Sequence, residues 1–408
     1  MANHDNEMEK ISRRLESLEL RLSRLESAMI NTDNVNPLRS ELPPQPVLPL
    51  PDSDISEEEG KGLESQIGRF GLAWLGNIVL LFGITFLTQY LMIQELRYLS
   101  ILIGYTSTAS ILFLANYLKK TNGHLAFMLK MNAQILLFFI TIRLHFFSAL
   151  PVISNETVSI LLLLSLIAFQ AYLSIRNKSQ AFAALSVLFA LTTAVISDTT
   201  HFMLLLVTLT AAGSTYYLYK FSWKPLLFLT IFLSYFTFFL WLSGNPFMSH
   251  PMQLIAEHHY GIIYLFGLGS CFSLVLLLRM KDASYDDFLI GVTFANGILF
   301  TLMLLVVVLR FFSSDYVSLF AIITTCCLIF STLLHSRSDW NFGSAYYALY
   351  GFMAMSIALY GLVGFPRVYL LLSVQSLVVV SMALWFRNRL IVIMNSLLFL
   401  TILQIGRA

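Results

Sequence analysis

Two hydrophobic rhythms divide this chain. Near the start, Met8, Ile11, Leu15, Leu18, Leu22, Leu25 and Met29 recur at alternating steps of three and four residues, with Glu16, Glu19, Arg21, Arg24 and Glu26 between them. That spacing keeps one apolar seam on one side of a helix and is the heptad pattern of a coiled coil. A single amphipathic helix of this length is marginal in water, so the seam predicts a partner helix, and residues 1–30 read as a self-associating coiled coil. The pattern stops at Asn31-Thr32-Asp33-Asn34, and Pro37, Pro43, Pro44, Pro46, Pro49 and Pro51 follow. Proline has no amide donor and clashes with the preceding turn, so residues 31–66 read as an extended, acidic spacer.

From residue 67 the rhythm becomes long apolar blocks separated by short polar turns. Crossing the hydrocarbon core takes about 20 apolar residues in a helix. Blocks of that kind begin near Gly71, Tyr98, Leu125, Val152, Ala181, His201, Pro225, Tyr260, Phe288, Tyr316, Asn341, Val368 and Leu390. The expected fold is all-α, a polytopic transmembrane helix bundle of about 13 helices over residues 67–408, carried behind the coiled coil. The third block is the most interrupted, by Lys130, Asn132, Gln134 and Arg143. No leader-like segment is visible before the first apolar block.

Composition supports the class. The chain is 57% hydrophobic and 12% charged, against about 25% charged residues in soluble domains. Residues 1–69 hold 8 Lys+Arg and 14 Asp+Glu, a net of −6, and the remaining 17 and 9 give +8, which together recover the +2 of the whole chain. An acidic head thus precedes a basic membrane body, with no basic patch suited to nucleic acid. Cys271, Cys326 and Cys327 all fall within apolar blocks, where they read as small packing residues.

The basic residues also give the body a side. Alternate connections carry Lys119 and Lys120, Arg176 and Lys178, Lys220 and Lys224, Arg279 and Lys281, Arg337, and Arg387 and Arg389. The intervening ones carry only Arg97, Arg143, Arg310 and Arg367. Lys and Arg accumulate on the cytoplasmic side of bacterial inner-membrane proteins. The head is therefore expected in the cytoplasm and, with 13 helices, the C-terminus outside. Trp74, Trp223, Trp241, Trp340 and Trp385 fall near block ends, where an indole keeps its ring in hydrocarbon and its N–H wet.

A resemblance that runs from about residue 1 to about residue 245, and more loosely beyond, sharpens this picture. Leu63-Glu64-Ser65-Gln66-Ile67-Gly68, Trp74-Leu75-Gly76-Asn77-Ile78 and Leu81-Phe82-Gly83-Ile84-Thr85-Phe86-Leu87 resemble the first membrane helix of domain-of-unknown-function family 2339. Arg176 to Ala183, and His201 to Trp241 with Trp223 in its basic loop, look like that family's later turn and helix pair. The resemblance implies a coiled coil, a proline-rich linker and a multipass body, here in a short form. It implies no activity.

Few residues suggest chemistry. Ion-coupled transporters bury a carboxylate near mid-membrane, yet Glu95, Glu156, Asp198, Glu257, Asp282, Asp286, Asp287, Asp315 and Asp339 all sit at block ends or in loops. In the third block Lys130 and Gln134 share a helix face; with Asn132 and Arg143 they are the candidate lining of a polar cavity. Asn77, Asn296, Gln375 and Asn395 read as amides bonding between helices. His250, Glu257, His258 and His259 crowd one outward loop without the spacing of a zinc site. Ser344, Ala348, Gly351, Ala358 and Gly361 form a stripe for close helix approach, and Tyr346 and Tyr350 read as packing. P-loop, GxSxG, HExxH and CxxC motifs are absent. The expectation is a cofactor-free, metal-free bilayer protein that oligomerises through its head and serves in transport or envelope organisation. The rival expectation is a membrane enzyme acting on a lipid-linked or glycan substrate, using outward-facing Arg143, His145, His250 and His258; a pure scaffold is the third.

Overall fold

The computed structural model describes residues 63–147, 151–248, 260–278, 283–337, 341–363 and 366–386. The coiled-coil seam, the proline-rich spacer, the histidine-bearing loop around His250 and the thirteenth apolar block lie outside the described residues. Contacts divide the chain into a unit of residues 1–66 and a unit of residues 67–408. The second unit is the helical body, whose first helix begins just before the division, at Leu63.

Every described regular element is helical. In chain order these are α1 (Leu63–Ile93), α2 (Arg97–Leu118), α3 (Gly123–Ile142), α4 (Glu156–Asn177), α5 (Gln180–Ser197), α6 (Thr200–Phe221), α7 (Lys224–Leu242), α8 (Gly261–Ser273), α9 (Ala283–Phe311), α10 (Tyr316–Arg337), α11 (Asn341–Val363) and α12 (Val368–Phe386). Among the described residues, ten helices are long and apolar enough to cross a membrane. In the other two the apolar stretch among the described residues is shorter, Gly261–Leu277 and Val368–Ser381, and α8 ends by tightening into a 3₁₀ turn over Leu274–Leu278. Large apolar side chains stand uncovered along the outer helices; Phe113 and Tyr117 of α2 are each 76% exposed. A water-soluble protein does not tolerate such a surface, whereas lipid tails cover it without cost.

The inner helices are chosen by residue size. In α5, Ala183, Ala190 and Ala194 are buried beside Ser186, Thr193 and Ser197, and small side chains let neighbouring backbones come close. Against α5 lies α7, whose Ile231, Tyr235 and Phe238 are nearly inaccessible. Hydroxyls of Thr210, Thr230 and Thr293 donate to carbonyls one turn back, so these residues leave no loose donor in an apolar interior. A second cluster joins α3, α4 and α5, with Phe138 and Phe189 stacked at 4.1 Å.

Tight connections fix the order of the middle helices. Lys178, Asp198 and Ser222 each take the left-handed backbone conformation just past the end of a helix. Asn245 braces one of these turns: its Nδ2 donates to Asp198 Oδ1 at 2.7 Å and to the Val195 carbonyl at 2.9 Å. Asn155 caps α4 by accepting from the Thr157 amide at 3.0 Å, so that helix starts four residues later than its apolar block suggests.

Mid-helix amides do bond between helices. Gln375 of α12 donates to the Phe352 carbonyl at 2.7 Å and to Ser356 Oγ at 2.8 Å. The small-residue stripe of α11 faces α10, where Ser331 Oγ donates to the Ser344 carbonyl at 2.7 Å and Ser344 Oγ returns the bond to the Ser331 carbonyl at 2.9 Å. Trp241 departs from the sequence expectation. It lies near the end of α7, but its indole is 7% exposed and Nε1 donates to Thr200 Oγ1 at 3.3 Å. Gly261 opposite leaves the slot, since a Cβ there would collide with the indole. Trp223 stands at the N-cap position of α7 without a side-chain capping bond and stacks on Phe221 at 4.6 Å.

Candidate functional site

The four polar residues singled out in α3 do not share one face. Asn132 turns toward α1, where its Nδ2 donates to the Asn77 carbonyl at 2.8 Å and to Asn77 Oδ1 at 2.9 Å; Asn77 Nδ2 in turn donates to the Met128 carbonyl at 3.3 Å. Gln134 is buried, and its Oε1 has no hydrogen-bond partner. Lys130, one turn before it, is half-buried. Arg143 stands at the end of α3, buried, with its guanidinium 5.5 Å from the centre of the Phe139 ring and Nη1 unpartnered. Burial draws its pKa below the ordinary arginine value. At 100° per residue, Lys130 and Gln134 lie on one side of α3, and Asn132 and Arg143 nearly opposite. Nearby His145 holds its Nδ1 at 2.7 Å from the Ile153 carbonyl, tying down the start of the following loop.

A better-formed site lies elsewhere, between α8, α9, α10 and α11. There a cavity of about 260 Å³ opens among Gly269, Ser270 and Ser273 of α8, Asn296 and Gly297 of α9, Cys326 and Cys327 of α10, and Tyr346, Tyr347 and Tyr350 of α11. Asn296 and Gly297 fall at the middle of α9, and Cys326 at the middle of α10. Ser270, Leu274 and Cys326 on its rim are exposed. The mouth therefore opens level with the middles of α9 and α10, beside the end of α8.

Glycine makes the room. A Cβ on Gly269 would come within 2.8 Å of the Phe300 ring, and one on Gly297 would collide with the Tyr346 hydroxyl. Aromatic rings form the walls: Phe266 and Phe300 meet edge to face at 5.6 Å, and Phe330 meets Tyr347 edge to face at 4.7 Å.

Under these walls runs a chain of hydrogen bonds that can be followed proton by proton. Tyr235 Oη donates to Asn296 Oδ1 at 2.7 Å. Asn296 Nδ2 reaches the Gly269 carbonyl and Ser273 Oγ, both at 3.2 Å. Ser273 Oγ gives its proton to the Gly269 carbonyl at 2.7 Å and receives that of Tyr347 at 2.6 Å. The Thr301 hydroxyl is committed to the Gly297 carbonyl at 2.6 Å, so the 2.8 Å contact with Tyr350 has the tyrosine as donor. Four helices are thereby tied at one level. Two lining hydroxyls are left over: Tyr346 Oη and Ser270 Oγ make no hydrogen bond to any described residue. Among the described residues, no Asp, Glu, Lys, Arg or His lines the cavity.

A second hollow of about 280 Å³, between α2, α3 and α4, lacks such open donors. Its Thr141 and Ser165 hydroxyls are turned to carbonyls of their own helices, and Tyr105 meets Thr141 at 3.3 Å. Among the described residues no group of His, Cys, Asp or Glu is placed to hold a metal ion.

No known protein family, curated protein or solved structure matches the chain. The cleft must therefore be read from its own chemistry. Sequence reasoning read Asn296 as an amide bonding between helices, which it is, but assigned Tyr346 and Tyr350 to packing, and passed over Ser270, Ser273 and Tyr347. The available signal was the coincidence of a small and polar run at the middle of one apolar block (Gly267, Gly269, Ser270, Ser273) with Asn296-Gly297 at the middle of the next.

Proposed function

We propose that this chain is a multipass protein of a bacterial inner membrane whose α8–α11 cleft holds a molecule taken sideways from the bilayer, in the service of transport or envelope organisation. One observation carries the reading: a cavity level with the middles of α9 and α10, open among exposed apolar side chains, that presents the unpartnered hydroxyls of Tyr346 and Ser270. An unpaired polar group at that depth is unfavourable, and a ligand oxygen would satisfy it. The absence of paired acids or a nucleophile–base pair along the described lining favours holding over catalysis.

The test is retention. Purified in mild detergent and examined by native mass spectrometry, the full chain should carry a lipid-phase adduct. Ser270→Phe, which adds a ring at the exposed rim without disturbing the interior, should lose it. Equal adduct occupancy in both proteins, or none in either, removes the reading.

The sidedness and assembly proposals rest on sequence. The alternation of loop charge supports a cytoplasmic head and, with a thirteenth helix, an outside C-terminus. The Met8 to Met29 seam supports self-association, and the resemblance of residues 63–87 to domain-of-unknown-function family 2339 supports the same architecture. Deleting residues 1–30 should lower the particle mass to that of one chain in light scattering of the detergent-solubilised protein. An unchanged mass would count against the coiled coil.

A further inference from the structure

Resting on the reading of the cleft as a ligand site, we infer that its occupant is an uncharged ring bearing carbonyl oxygens on an apolar tail, the chemistry of an isoprenoid quinone. Four features select this class. The described lining offers no cation or anion, so a phosphate or carboxylate head would be drawn into the cleft with nothing to neutralise it, which is strongly unfavourable. Each open hydroxyl has a proton to place, which a ligand carbonyl oxygen accepts and a plain hydrocarbon chain would leave unsatisfied. The walls are aromatic, from Phe266, Phe300, Phe330 and Tyr347, and aromatic faces and edges pack well on a flat ring. The cavity, about 260 Å³, is slightly below the roughly 300–1,000 Å³ of sites that swallow a drug-sized ligand. It fits a single ring head whose tail leaves over the exposed rim at Ser270, Leu274 and Cys326 into the lipid.

The bonds already present support the polarity of this match. Tyr347 and Tyr350 have committed their protons to Ser273 and Thr301. Their fixed rings shape the slot while Tyr346 and Ser270 remain to donate. The inference concerns binding; no electron transfer is invoked.

The experiment uses the full chain in nanodiscs of uncharged phosphatidylcholine, titrated with decylubiquinone and followed by quenching of intrinsic fluorescence. Binding should saturate. Tyr346→Phe, which keeps the ring and removes the donor, and Ser270→Ala, at an exposed position, should each raise Kd several-fold, and the pair at least tenfold, about 1.4 kcal/mol. Ser270→Phe should abolish saturable quenching, and dodecylbenzene, which has a ring and tail but no carbonyl, should not compete. Saturable binding that is indifferent to both Tyr346→Phe and Ser270→Ala, or full competition by dodecylbenzene, overturns the carbonyl assignment. No quinone binding, alongside an adduct of another kind that Ser270→Phe displaces in native mass spectrometry, overturns the quinone class and leaves the cleft reading standing. Absence of both quinone binding and any displaceable adduct overturns the two together.

Discussion

Replacing Asn296 with Leu should cost this protein about 2 kcal/mol of stability, enough to lower its unfolding midpoint clearly in a detergent titration. The side chain of Asn296 is the acceptor for the Tyr235 hydroxyl and the donor to Gly269 and Ser273. A hydrogen bond between membrane helices is worth about 0.6 kcal/mol on average and at most about 1.7, because the unfolded chain in lipid also finds partners. The larger loss comes from what is stranded. Tyr235 is 1% exposed, and a buried hydroxyl without a partner costs about 1–3 kcal/mol. A second variant separates the two contributions. Tyr235→Phe in the Asn296→Leu background removes the stranded group and should recover part of the loss, although each change alone is destabilising. If the double variant is weaker than Asn296→Leu, the proposed bond is not what Asn296 contributes.

The second large effect is expected at Trp241. Its indole fills the slot left by Gly261 and is held by Thr200. Truncation to Ala should cost about 3 kcal/mol, in the range for emptying a large aromatic site in a close-packed interior. Gly261→Leu alone should also destabilise, by about 1–3 kcal/mol, since the added side chain and the indole claim the same space. Combined, the two changes compensate: the leucine occupies part of the volume the tryptophan vacates. The double variant should be more stable than the sum of the single losses predicts, by more than the roughly 0.5 kcal/mol scatter of independent sites. Simple additivity in thermal unfolding would rule out this packing relation.

How much was legible in the sequence differs between fold and site. The helix starts were readable because each needs only its own stretch of apolar residues, and α2, α6 and α10–α12 begin within a residue or so of their blocks. The third block looked weak for the same local reason. Its Asn132 interrupts an apolar run, and nothing within the run shows that Asn77, 55 residues away, will take its protons. Trp241 misled because position along a helix gives depth but not facing, and the glycine that makes its slot lies on another helix. The cleft is harder still. Tyr347 and Ser273 are separated by 74 positions, and which hydroxyls stay open depends on which are used up. Tyr350 and Tyr346 sit on the same helix one turn apart, and only the packing of α9 distinguishes the committed donor from the free one.

The paired serines between α10 and α11 have a consequence for how the protein is made. Ser331 and Ser344 exchange bonds across a hairpin that closes within 13 positions of sequence. In lipid no water competes for those bonds, and sliding one helix past the other by a turn would break both at once. The hairpin therefore carries its own register and can enter the bilayer as a finished pair before its neighbours dock. Tyr346 and Tyr350 ride on this hairpin, and Gly269 and Gly297 on α8 and α9. The cleft is thus a seam between two helix pairs, and it exists only where the two have met.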